Sequence, residues 1–447
     1  MDFFKKYIGD LFLTARFYWV AVACITVFIL AFYFPSLFWA AKILLSITGM
    51  LLLGDYIFLF FIGRKPAAGR DINERLSNGD ENKVRILVTN NNPFWVKINV
   101  IDELPFQFQE RNFSLLQAFE PGQEQLLEYK LRPLERGVYE FGNLLLFVQS
   151  KLGLIERRCT VDAAENVSVF PSFLKLGNYQ LLSSTTMQQE QGSRRLRKIG
   201  QSMEFEQVKD YVTGDDIRTI NWKATARKGA LMVNSYVDEK SQQVYCIIDK
   251  GRLMKMPFEG LSLLDYAINS VLALSSICLK RQDKIGLISF SNKLNTLLPA
   301  DRKPIQREHI LQSLYSEKTN FRESDFEMLY TQLRKKVKQR SLLILFTNFE
   351  SLNGLKRQVN YLRSIARHHL LLVVFFENTE LHKLSGAEAG NVEDIYVKTI
   401  AEKFVFEKKL VVKELQKYGI LSVLTTPENL TVNAINKYLE LKARQAL

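Results

Sequence analysis

Two long apolar runs open the chain: Phe17 to Ala41 holds no charged side chain, and Ile43 to Gly63 holds only Asp55. A helix rises ~1.5 Å per residue, so ~20 residues cross the hydrocarbon of a bilayer. The runs therefore predict a transmembrane hairpin over residues 1–70, turning near Pro35-Ser36. They are too long, and too closely followed by one another, for a signal peptide with its small-residue cleavage site. Lys5, Lys6 and Arg16 flank the first span, Arg64, Lys65 and Arg70 flank the second, and the turn region offers only Lys42. The excess of cations at the two outer ends puts both termini in the cytosol, with Phe17, Tyr18, Trp19, Phe34, Phe38 and Trp39 at interfacial depth. Asp55 is the exception within a span. It reads as a helix contact or a shallow carboxylate reaching the headgroups, since one acid on two spans cannot line a transport path.

The period then changes. Val84, Ile86 and Val88 alternate with polar neighbours, Val96, Ile98 and Val100 repeat this after Asn90-Asn91-Asn92-Pro93, and Leu127, Tyr129 and Leu131 follow. Alternation of this kind marks half-buried strands. With Pro105, Pro121-Gly122, Pro133 and Gly137 as punctuation, and further strands over 138–148 and 167–170, residues 71–170 predict an antiparallel β-sandwich, a stalk with a docking surface. Residues 171–240 read as a linker and motif segment, polar over 183–191 and basic from Arg194 to Lys198.

From 241 to 447 the pattern alternates again, now between short apolar runs and helical periods. Val244 to Ile248, a helix carrying Leu264, Ala267, Ile268, Val271 and Leu272 on one face, and Ile285 to Phe290 form a β–α–β unit. Leu294 to Leu298 follows too closely for a crossover and is expected as the one antiparallel strand. Leu342 to Phe346, Leu370 to Phe376 and Leu421 to Leu424 are further strands, separated by helices over 326–337, 355–367 and 402–418. A last helix carries Val432, Ile435 and Leu439. The fold class is α/β, a doubly wound open sheet with helices on both faces.

Composition adds little to this fold but restricts the chemistry. The 447 residues carry 60 Lys+Arg against 47 Asp+Glu, a net charge of +13, of which +4 falls within the first seventy residues. Such a surplus favours a lipid leaflet or an acidic partner. Cys24, Cys159, Cys246 and Cys278 are far apart, without metal or disulfide spacing. No GxxxxGK loop or GxGxxG after a strand is present, and His309, His368, His369 and His382 show no ligand spacing. The chain is therefore read as no enzyme.

A ligand on a doubly wound sheet belongs at the carboxyl ends of its strands. There the sequence offers Asp249 after the first strand, Thr319-Asn320 in a middle loop, and Thr347, Asn348 and Glu350 after the fourth. This set resembles the metal-ion-dependent adhesion site of von Willebrand factor A domains. That family binds a divalent ion through DxSxS, whereas this chain reads Asp249-Lys250-Gly251-Arg252-Leu253, with Asn348 where an aspartate is usual. The resemblance thus implies a degenerate site at Asp249, Thr319 and Asn348, with no cofactor and no Mg²⁺ held. Lys250 and Arg252 would meet an acidic partner directly.

The sharpest motif runs from Phe205 to Arg227, with Tyr211, Gly214-Asp215, Arg218, Ile220, Trp222, Ala224 and Ala226-Arg227. At these spacings it resembles the signature of the bacterial family called domain of unknown function 58. That resemblance implies an inner-membrane protein whose von Willebrand A-like domain serves a MoxR-type AAA+ ATPase and its clients, an adaptor or scaffold. Physically, Gly214 permits a turn, Asp215 or Asp216 caps a helix, and Arg218, Trp222 and Thr225 share a face. Two readings follow. One is a docking surface with Arg218 and Arg227 towards an acidic partner; the simpler one is an internal lock, with Trp222 buried and Arg218 paired to Asp210 or Asp215. The alternative for the whole chain is an anchored enzyme or a nucleic-acid-binding protein, which would gather its cations and exposed aromatics in one groove; no nucleic acid is expected.

Overall fold

A computed structural model describes residues 9–110, 113–172, 203–213, 215–238, 242–319, 321–386 and 390–444. Gly214, Asn320, Lys5, Lys6 and the basic run from Arg194 to Lys198 lie outside the described residues. The chain divides into two compact units, Met1–Phe170 and Pro171–Leu447.

In the first unit, helix α1 (Ala15–Tyr33) leads through a 3₁₀ turn at Pro35–Leu37 into α2 (Phe38–Ile57), which ends in a π-helical turn at Phe58–Ile62. Both helices are long and apolar enough to cross a membrane. Their outer faces expose Trp19, Ile29, Phe32 and Met50, as lipid-facing residues would. Beyond them lies a five-stranded antiparallel sheet in the order 11–13, 155–161, 144–149, 96–102, 115–119, together with two three-stranded sheets. The expected alternation holds: Val84, Ile86, Val88, Val96, Ile98 and Val100 point into one shared core. The strand Leu11–Leu13, ahead of α1, pairs with 155–157 and was not expected.

The second unit opens with a hairpin in which Met203–Asp210 pairs antiparallel with Met232–Asp238 and the short helix α3 (Trp222–Lys228) lies between. A six-stranded sheet follows. Its strands are β1 (Gln243–Asp249), β2 (Lys284–Phe290), β3 (Leu294–Asp301), β4 (Leu342–Phe346), β5 (Leu370–Phe376) and β6 (Leu421–Thr425). The order is β3-β2-β1-β4-β5-β6, parallel except for the β2/β3 pair. The intervening helices are α4 (Leu263–Lys280), α5 (Gln306–Tyr315), α6 (Phe326–Lys336), α7 (Leu352–Ala366), α8 (Thr379–Gly386), α9 (Val392–Lys417) and α10 (Leu430–Ala443).

Successive strand residues feed opposite cores, which is why these strands are continuously apolar. Val244, Cys246 and Ile248 pack with α4, α5 and α10, whereas Tyr245 and Ile247 pack with α6, α7 and α9. Helix α4 is also apolar enough for a membrane, yet 72% of its most apolar window is buried, so it is a core helix of this unit. The strand order reverses between β1 and β4, and a crevice opens where such a reversal occurs.

Candidate functional site

At that reversal β1 ends in Asp249, only 3% exposed. Its Oδ1 accepts hydrogen bonds from the Gly251 N–H, at 2.8 Å, and from the Ser324 hydroxyl, while Oδ2 accepts from Thr347 Oγ1 at 2.6 Å. Burial pushes the Asp249 carboxyl up, and these three donors work against the shift. Gly251 is required for space, not for conformation, because its φ is −64°. A Cβ there would stand 2.1 Å from Ser324 Oγ and 3.1 Å from Asp249 Oδ1. Ser324, not Thr319, thus supplies the hydroxyl on Asp249; Thr319 is half-buried and makes no bond to that carboxylate.

Asn348 is buried after β4, and its Oδ1 accepts from Lys408 Nζ of α9 at 2.7 Å. Burial drives the Lys408 amine down to about 8, against the pull of Glu350 and Glu377. Both Asp249 oxygens are occupied, and the amide oxygen at 348 already faces an ammonium group. Among the described residues no three or more of His, Cys, Asp and Glu cluster as a metal would need.

Lys250 corrects the sequence reading. It is 6% exposed and forms an ion pair with Glu317, whose Oε1 also accepts from Ser289 Oγ at 2.6 Å and Thr296 Oγ1 at 2.7 Å. It therefore locks the end of β1 to β2, β3 and the loop after α5, and presents no charge to a partner. Arg252 does reach solvent, 3.4 Å from Glu323, and its N–H donates to the Arg322 carbonyl at 3.1 Å. The same rim holds Phe321, 77% exposed, with Lys255 Nζ 3.8 Å from its ring centroid. Phe321, Lys255, Ser324 and Lys408 escaped the sequence reading. The one available signal was an aromatic residue in the polar loop Thr319 to Asp325.

The signature segment also departs from the simpler expectation. Trp222 is 70% exposed, so it does not form an internal lock. Asp215 pairs with Lys209 at 3.0 Å and Asp210 with Lys228 at 2.7 Å, leaving neither to Arg218. The lysine and the Val212 N–H beside it hold the Asp215 carboxyl below the usual range, the backbone bond counting most. Asp216, not Asp215, is the cap: it accepts from the Arg218 N–H and precedes a 3₁₀ turn, while Asn221 caps α3 through the Ala224 N–H. Arg218 and Arg227 are exposed.

Residues 207–406 match the family model described as "Protein of unknown function DUF58". The resemblance read from the signature is thus borne out for this segment. Uncharacterized protein YeaD of Bacillus subtilis (strain 168) is 23% identical over 124 residues, which are 28% of this chain and 31% of YeaD. The match therefore spans about a third of that relative's length. Among solved structures, the conserved hypothetical protein BatB from Bacteroides thetaiotaomicron is similar over 46% of this chain and 100% of its own, at 16% identity and a TM-score of 0.32. The CARDB domain of the PF1109 protein from Pyrococcus furiosus matches 24% of this chain and 96% of its own, at 14% identity and a TM-score of 0.18.

Proposed function

We propose that the protein is a non-enzymatic adaptor, anchored in an inner membrane by α1 and α2 with both termini cytosolic. In this reading the second unit is a von Willebrand A-like domain that offers its strand-end rim to an acidic protein partner. A MoxR-type AAA+ ATPase and its clients are the proposed partners. The observation that carries the reading is the exposed Phe321, covered on one side by Lys255 and tied down beside Arg252. An aromatic side chain next to arginine is the composition of a binding hot spot. Its support is fixed, because Ser324 of the same loop is bonded to buried Asp249. The polar groups beneath are occupied by one another, as suits a rigid platform better than a site that turns over substrate.

Capture of a purified MoxR-type ATPase by the full chain in nanodiscs tests this. Phe321→Ala and the pair Arg252→Glu with Lys255→Glu are expected to weaken capture, the charge variant in a salt-dependent way, with unchanged melting. Equal capture by wild type and both variants at low salt would remove the rim as the docking site.

A further inference from the structure

The hairpin that carries the signature is a second surface, separate from the strand-end rim. Between its strands, Val212, Ile217, Trp222 and Leu231 are exposed, Ile217 by 69%. Arg218, Lys223 and Arg227 alternate with them and are exposed too. Among the described side chains next to them, Asp210 and Asp215 pair with lysines and Asp216 caps a turn. What this segment offers outward is therefore apolar side chains together with Arg218, Lys223 and Arg227, which form no ion pair among the described residues. In sequence it is preceded by a further basic run, Arg194-Arg195-Leu196-Arg197-Lys198.

Resting on the membrane anchoring proposed above, we infer that residues 211–231 dock onto the anionic leaflet of the bilayer that would hold α1 and α2. Trp and Arg side chains are at home at headgroup depth, the ring in the acyl boundary and the charge among phosphates. Anionic lipid attracts each nearby cation, and the attraction decays within a Debye length. The membrane anchor supplies the remaining argument. A module on the same chain as two spans meets lipid at high effective concentration, so a modest intrinsic affinity suffices. A protein partner would need an organised complementary surface, whereas a leaflet requires only apolar side chains and positive charge on the same segment.

The test uses the full chain in nanodiscs with an environment-sensitive dye at Val212→Cys. The native cysteines Cys24, Cys159, Cys246 and Cys278 are buried, so the label goes to residue 212. In discs containing phosphatidylglycerol the dye should shift to the blue, and nitroxide-bearing lipids should quench it roughly threefold more than in neutral phosphatidylcholine discs, an excess that high salt abolishes. Trp222→Ser and the pair Arg218→Glu with Arg227→Glu should lose the shift while melting as wild type does. Should the charge variant misfold, the salt series on wild type and Trp222→Ser still decide. Water-exposed emission in both disc types would overturn the inference and leave the surface to a protein partner. So would an equal shift in neutral discs, which would deny the role of charge.

Discussion

Asp55, in the last turn of helix α2, accepts a hydrogen bond of 2.9 Å from the backbone N–H of Leu154. The same carboxylate accepts from the Ile155 N–H at 3.1 Å and from the Ser150 hydroxyl, and it is fully buried. Around it, Arg157 donates to the Leu59 and Gly63 carbonyls, and Thr14 Oγ1 to the Gly153 carbonyl at 2.7 Å. Of the readings open to an acid in a span, contact is the one realised. The partner is the sheet-forming part of the same unit, so the carboxylate ties the end of α2 to the strands.

Asp55→Ala should therefore destabilise the first unit. Two buried N–H groups and a hydroxyl lose their acceptor, a cost of roughly 3 kcal/mol. Asp55→Asn, which keeps one acceptor oxygen, should cost about half as much. Thermal melts of the full chain in detergent read this out, and an unchanged melt for Asp55→Ala would contradict the clasp.

The proposed orientation rests on the flanking charge. A cysteine at Ser36, in the 3₁₀ turn between the spans, should react with an impermeant maleimide added to intact cells, while a reporter fused after Leu447 should be active only in the cytosol. Labelling of the carboxyl end from outside would reverse the assignment.

At the strand ends, Gly251 and Ser324 compete for one volume. Gly251→Ser should destabilise the second unit by about 1–3 kcal/mol, the usual cost of overpacking. Adding Ser324→Ala should recover much of that loss, because the serine at 251 then supplies the hydroxyl. A double-mutant cycle on unfolding free energies measures the coupling, and strict additivity would contradict the shared site.

The two N-terminal helices and the sheet strands were legible because each is uninterrupted and apolar. β4 and β5 were read residue for residue. Helix α9 begins ten residues before the expected start at Glu402, since its first turns expose Val392, Ile395 and Tyr396 and bury no stripe that a period could reveal. Strand Leu11–Leu13 is too short for any pattern. At the site, Asp249 and Asn348 were legible because they end strands. Their partners Ser324 and Lys408 stand 75 and 60 residues away in sequence, where only tertiary packing brings them close. Trp222 was expected inside, but a two-stranded hairpin with a helix of seven residues has too little depth to bury an indole.

Divalent ions should leave the second unit's stability unchanged. Asp249 accepts three hydrogen bonds and Asn348 faces Lys408, so Mg²⁺ would have to displace these partners to bind there, and a ligand stabilises only by binding the native state. A saturable rise in melting temperature, abolished by Asp249→Ala, would contradict this.

Lys408 makes stability depend on pH in a direction opposite to that of most lysines. Its ordinary pKa of 10.5 falls to about 8 in the folded chain, chiefly through burial. Below pH 8 both states hold the proton, and the folded state bears the full cost of a buried ammonium group. Between about 8 and 10.5 the unfolded chain binds more protons than the folded one, so stability contributed by this group rises with pH across that window. At ~1.4 kcal/mol per pKa unit the rise amounts to about 3 kcal/mol. Buried thiols such as Cys246, pushed from 9.0 up to about 12, act in the opposite sense from about pH 9 upward, so wild type alone does not isolate the lysine. The informative quantity is the difference between wild type and Lys408→Met in urea melts at pH 7.5, 9 and 10.5. That difference should move in favour of wild type as pH rises, and a constant difference would show that Lys408 keeps an ordinary affinity for its proton despite its burial beside Asn348.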